Sequence, residues 1–95
     1  MRYFWQRLKP PFFVLAPMAD VTDIVFRHFV LRYSCPEVVY TEFVAGKELL
    51  SPIRPASLQR TLWFSEGERP IVAQVFGADP REMFACAHLI RRLGF

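Results

Sequence analysis

Two places in the sequence carry residue types suited to a flat, polar, conjugated ligand. The first is Pro17-Met18-Ala19, inside the run Leu15-Ala16-Pro17-Met18-Ala19-Asp20-Val21-Thr22-Asp23. Proline fixes the backbone of its turn and withdraws one N–H. Methionine is soft and polarizable and lies well against a ring, and the short side chain of Ala19 lets a ligand approach the main chain. The second is Gln74, the one polar residue in the apolar run from Ile71 to Phe76. A buried amide without partners costs about 1–3 kcal/mol. Glutamine offers both donors and an acceptor, which matches the alternating C=O and N–H edge of a nucleobase or a flavin pyrimidine ring. It equally serves as a structural amide bonded to a neighbouring strand or to water.

The other chemically capable residues are less well placed. Cys35 and Cys86 stand far apart, in no metal-ligand spacing and with no adjacent base, so neither is assigned a catalytic, disulfide or zinc role. Cys86, between Ala85 and Ala87, reads as a small core residue. His28 has no second ligand at a useful offset and reads as a satisfied surface or boundary histidine. Glu42, at the end of a strand, either orients a ligand or caps the following turn.

The elements that position these residues alternate. An arm, residues 1–10, forms a short strand over one end of a sheet and ends at Pro10-Pro11. Phe12 to Ala16 is apolar throughout and predicts a strand buried on both faces. Val21 to Tyr33 predicts a helix capped by Asp20 or Thr22, with Val21, Ile24, Val25 and Phe29 on its inner side. Val38 to Thr41 is a second strand, Val44 to Leu50 a short helix, and Pro55 to Arg60 another helical turn. Pro70 to Gly77 is the third strand. The last helix carries Asp79 as N-cap, Pro80 at its first position, an apolar face of Met83, Phe84, Ala87 and Ile90, and a Gly94 stop. Strand–helix alternation of this kind implies parallel strands with helical crossovers. In such folds ligands bind at the carboxyl ends of the strands, where Pro17 falls.

Composition sets further bounds. Of 95 residues, 53% are hydrophobic and ten are Phe, heavy for an independent small domain. The chain is therefore expected to bury apolar surface against a partner or to be part of something larger. Twelve basic against nine acidic side chains give a net charge of +3, which permits an RNA partner without demanding one. Arg2, Arg7, Lys9, Arg27 and Arg32 read as an exposed tail and a solvated helix face. Prolines interrupt the short apolar run near the amino end, so it is not read as a signal peptide. No run reaches the ~20 apolar residues that span a bilayer; no membrane partner and a cytoplasmic location are expected.

The motifs together resemble the tRNA-dihydrouridine synthases. The Leu15–Asp23 run followed by Phe26-Arg27 is similar to that family's amino-terminal "APMAGVTD…FR" motif. Tyr40-Thr41-Glu42-Phe43 is similar to its second-strand "TE" segment, and the run from Arg69 to Pro80 to its "P…QLFG.DP" third strand. Their order and spacing agree over nearly the whole chain after the arm. The resemblance implies a (β/α)8 barrel of the TIM type, with residues 11–95 as its first three β/α units. It implies FMN as cofactor, NAD(P)H (NADPH foremost) as reductant, and reduction of uridine to 5,6-dihydrouridine in tRNA. By this analogy Pro17, Met18 and Ala19 lie against the flavin and Gln74 bonds its pyrimidine edge. Hydride passes to uracil C6 while an acid protonates C5, and the uridine leaves its stack to be reached.

Two departures from the motifs stand out. Asp20 occupies a position where the family commonly has Gly. The family's "D.N.GCP" segment, with its proton-donating cysteine, would lie beyond Phe95. So would its lysine, histidine and phosphate-binding loops and its helical tRNA-holding domain. The 95 residues thus read as about the first third of an enzyme, inactive alone and expected to be a monomer when full length. Two other readings stand beside this one. One is another FMN barrel acting on a small molecule. The other is a non-catalytic RNA-binding module using Arg2, Arg7 and Lys9.

Overall fold

The computed structural model describes residues 3–95. It is an α/β chain whose strand pairs are all parallel. Arg2 lies outside the described residues. The rest of the arm is not a strand: Phe4–Arg7 forms a single 3-10 turn. Phe4, Arg7 and Leu8 from the arm share a concavity with Arg69, Pro70, Ile71 and Phe95, so the arm lies at the amino end of the third strand.

The first strand, β1 (Val14–Leu15), is shorter than Phe12–Ala16 and lies at a sheet edge. It is not buried on both faces: Phe13 is 77% and Val14 39% exposed. Helix α1 (Ile24–Tyr33) begins three residues later than Val21 because Asp23, not Asp20 or Thr22, is its N-cap. The Asp23 carboxylate accepts from Phe26 N–H at 2.8 Å, satisfying one of the unpaired amides of the first turn. Its inner side also differs from the expected face. Val25 and Phe29 are exposed, while Arg27 is completely buried.

The second strand is divided. β2 (Val38–Tyr40) pairs with β1, and after a bend β3 (Val44–Ala45) leads directly into the one-turn helix α2 (Gly46–Leu49). Residues 44–45, read as helix, are therefore strand. Helix α3 (Ala56–Thr61) follows, close to the expected helical turn, with Pro55 at its N-cap. A 3-10 turn at Glu66–Glu68 is closed by a capping box between Ser65 and Glu68.

The third strand is divided as well, into β4 (Ile71–Val72) and β5 (Val75–Phe76), with Ala73-Gln74 at the break. The result is a three-stranded sheet in the order β1-β2-β4 and a two-stranded sheet of β3 and β5. Helix α4 (Pro80–Arg92) has the expected Asp79 cap, which accepts from Arg81 N–H, with Pro80 in its first turn. Its end is also as expected, with Gly94 at φ 104°, a conformation that side-chain-bearing residues rarely take. Of its expected apolar face, Phe84 and Ala87 are exposed; Cys86 is buried, in keeping with its reading as a small core residue. Val38, Val39, Val44, Leu49, Leu58, Ile71 and Cys86 form the core.

Burial, and secondarily the Glu82 carboxylate, push the Cys86 thiol above its ordinary value, while Cys35 is exposed. Treatment of the native chain with a thiol reagent at neutral pH should modify one cysteine rapidly, Cys35. Cys86 should react only at the rate of unfolding. Equal rates for both thiols, read by mass spectrometry, would contradict this packing.

Candidate functional site

The strand register brings the predicted residues to one end of the sheet. Leu15, Val39 and Ile71 lie in one row across β1, β2 and β4. Met18, Glu42 and Gln74 each follow that row by three residues, so all three stand beyond the carboxyl ends of parallel strands. Hydrogen bonds join the segments there. Asp20 N–H donates to Glu42 Oε2 at 2.7 Å. Gln74 N–H donates to Thr41 Oγ1 at 3.3 Å, and Val44 N–H donates to Gln74 O at 2.9 Å. The bends in the second and third strands thus hold the Gln74 backbone from both sides. Glu42 braces the turn after the first strand.

The turn itself is tightly bonded. The Met18 carbonyl accepts from Val21 N–H at 3.1 Å, from Thr22 N–H at 3.0 Å and from the Thr22 hydroxyl at 3.1 Å, and Met18 N–H donates to Thr22 Oγ1 at 3.0 Å. Thr22 is fully buried while Met18 is 40% exposed. The turn therefore presents Met18 and the exposed Ala19 at the rim, with Pro17 half-buried beside them. Asp20 sits at φ 60°, alone among the described non-glycine residues in having a positive φ. That conformation favours glycine and is tolerated by Asp, which gives the Gly of the motif its physical reason.

Gln74 carries the sharpest signal. Its Oε1 is buried and accepts no hydrogen bond, and it is the single such side-chain nitrogen or oxygen among the described residues. Its main-chain N–H and C=O are both bonded, so the backbone is held while the amide oxygen lacks a donor.

Sequence reading missed the support behind the turn. Arg27, counted there with the solvated charges, is fully buried. Its Nε donates to Glu68 Oε1 at 2.5 Å, Nη1 to Thr22 O at 2.7 Å and Nη2 to Trp63 O at 2.6 Å. Glu68, 2% exposed, accepts Ser65 N–H on its other oxygen at 2.6 Å. Phe26-Arg27 was visible as part of the motif, but nothing in the spacing of charges pointed Arg27 inward.

Two other clusters are not built for catalysis. His28 Nε2 lies 3.0 Å from Ser65 Oγ and 3.4 Å from Glu68 Oε2. Serine and carboxylate share one ring nitrogen, so the histidine cannot relay between them as a triad requires. A concavity of about 480 Å³ above β3 and β5 is lined by Gly46, Lys47, Gly77, Asp79 and Glu82, among others, and by none of the predicted residues. Those two glycines admit Met83: a Cβ on Gly46 or Gly77 would lie 2.6 or 2.7 Å from its Cε.

Residues 14–95 match the family model described as Dihydrouridine synthase (Dus). The chain belongs to this family. It is 42% identical over 92 residues to the probable tRNA-dihydrouridine synthase of Staphylococcus aureus (strain COL). Against the probable tRNA-dihydrouridine synthase 2 of Bacillus subtilis (strain 168) the identity is 44% over 92 residues. Each comparison covers 97% of this chain and 28% of the relative. The chain thus spans a little over a quarter of the length of these dihydrouridine synthases. The match runs from β1 to Phe95 and includes every rim residue named above.

Two substitutions test this rim. Asp20→Gly should raise unfolding free energy by about 0.5–1 kcal/mol in urea melts, because it removes a side chain from the left-handed region. Gln74→Met should leave stability unchanged or raise it by about 1 kcal/mol, since it deletes an unpaired buried oxygen at similar volume. A loss above about 1 kcal/mol for Gln74→Met would mean that the amide oxygen has a partner within the fold.

Proposed function

We propose that this chain is the amino-terminal part of an FMN-dependent tRNA-dihydrouridine synthase. Residues 1–10 form its arm, and residues 11–95 the first three β/α units of a (β/α)8 barrel. The observation that carries the proposal is the unpaired Gln74 oxygen at the same strand ends as the Met18 turn. Family membership supports the reaction class, and the parallel strands fit the opening of a barrel.

The residues present fit a flavin. Gln74 Oε1 needs an N–H donor, and the imide N–H of the ring's pyrimidine edge is one. Pro17, Met18 and Ala19 would lie against the ring, where a thioether and a small side chain leave room for a flat group. When bound, FMN would supply hydride chemistry that no side chain can provide. The protein's part is to place the ring and to hold the turn through Thr22 and Arg27. No proton donor to uracil C5 is assigned to this chain. Cys86 is buried in the core, and Cys35 lies in the loop before β2, near the amino ends of the strands, away from the rim.

In this reading tRNA is the substrate, NADPH the reductant and the cytoplasm the location, and the whole protein acts as a monomer. Among the described residues no helix is long and apolar enough to cross a membrane. The motif match from Leu15 to Pro80 is what favours this reading over a flavin barrel acting on small molecules.

Purified residues 1–95 should show no flavin absorbance and no reduction of tRNA uridine, because most of the site belongs to later segments. A stoichiometrically yellow fragment would overturn that. Joined to the remaining segments of the B. subtilis relative, the same residues should take up FMN and reduce uridine. In that chimera Gln74→Met should weaken FMN binding at least about tenfold, one charge-free hydrogen bond in a buried setting. A colourless chimera, or unchanged affinity in the variant, would sink the flavin assignment.

A further inference from the structure

We propose that the outward face of α4 is a contact surface for RNA, holding phosphates with arginines and a base on an aromatic ring. The proposal rests on the RNA substrate of the preceding section and places a contact where no motif assigns one. At about 100° per residue, Arg81, Phe84, His88, Arg91 and Arg92 fall within a sector about 100° wide. That sector lies opposite Cys86, the residue that α4 buries against Gly46. All five side chains are exposed. Phe84 is 69% exposed, and His88 packs against it edge-on with ring centroids 4.5 Å apart.

An ordinary solvated helix face mixes both signs of charge and pairs them at three- and four-residue spacing. This face carries no carboxylate. The acids at the start of α4, Asp79 and Glu82, line the concavity with Lys47 instead. Arg81 and Arg92 have no carboxylate partner among the described residues. Eleven residues at 1.5 Å rise set them about 16 Å apart along one side of the helix, a span that a few consecutive phosphates of one nucleic-acid strand cover. An exposed aromatic ring between arginines is the usual means of holding an unstacked base without reading its sequence. A phosphate-bearing chain satisfies the arginines and the ring together, whereas an acidic protein surface leaves Phe84 without a use.

The test is binding of an unmodified tRNA transcript to the 95-residue chain, followed by fluorescence anisotropy from about 50 to 300 mM KCl. Arg81→Gln with Arg92→Gln should weaken binding at least tenfold near 100 mM salt. The slope of log K against log salt should fall by about 1.4–1.8, the release of two phosphate contacts. Phe84→Ala should weaken binding about fivefold or more with the slope unchanged, which separates base stacking from charge. Arg7→Gln with Lys9→Gln serves as the arm control, and circular dichroism melts confirm that each variant is folded.

Absence of tRNA binding by the parent chain would overturn the proposal. So would loss in the arm variant alone, or equal loss in Phe84→Ala and the arginine pair with no change of slope in either. The flavin reading is judged by absorbance and stands or falls separately.

Discussion

The fold depends on one buried ion pair. Arg27 comes from the middle of α1 and Glu68 from a 3-10 turn 41 residues later, and both are essentially inaccessible to water. Charges so placed are tolerated only when paired and fully bonded. That condition is met: the guanidinium reaches the carboxylate and two main-chain carbonyls, and the carboxylate also takes the amide of its own cap. Removing either partner leaves a bare buried charge, worth about 3–5 kcal/mol, against a total stability of about 5–15 kcal/mol for a domain. The pair ties the first strand–helix unit to the segment that leads into the third strand, so the sheet order β1-β2-β4 is held from behind as well as by its ladder.

The same pair reaches the rim. Arg27 holds the Thr22 carbonyl, Thr22 holds both main-chain groups of Met18, and Met18 faces outward. Local costs gather at the end of this line. Asp20 occupies a left-handed conformation, and Gln74 has a buried oxygen without a donor. A fold selected for stability alone would place glycine at 20 and an apolar residue at 74. Both features lie at the rim where the proposed flavin would sit.

What was legible in the sequence was whatever short-range physics decides. The Asp79-Pro80 start and the Gly94 end of α4 follow from the needs of helix termini, and the strand end near Pro17 follows from an apolar run. The errors lie where distant contacts decide. Asp20, Thr22 and Asp23 are all competent caps; Asp23 takes the role because Thr22 is drawn inward to Met18 and Asp20 to Glu42. Arg27 looks like a surface charge until Glu68 is brought beside it. The second and third strands break because Thr41 and Val44 bond the Gln74 backbone, a constraint no local pattern carries.

The two ends of the array differ in what they leave uncovered, and the difference bears on how the surfaces are used. Around β1 and α1 several large apolar side chains stand exposed beside the polar ones: Phe13, Val14, Val25, Phe29 and Tyr33. β1 is also an edge strand with one unpaired side, a surface that proteins ordinarily cover. In a closed barrel a further strand and helix would pack there, and relatives more than three times as long have chain to supply them. α4, beside the second sheet, turns arginines outward instead. Closing a barrel buries the flanks of its helices and leaves their outward faces wet. The apolar surface lies where such closure would hide it, and the cationic surface where closure would leave it open to a polyanion.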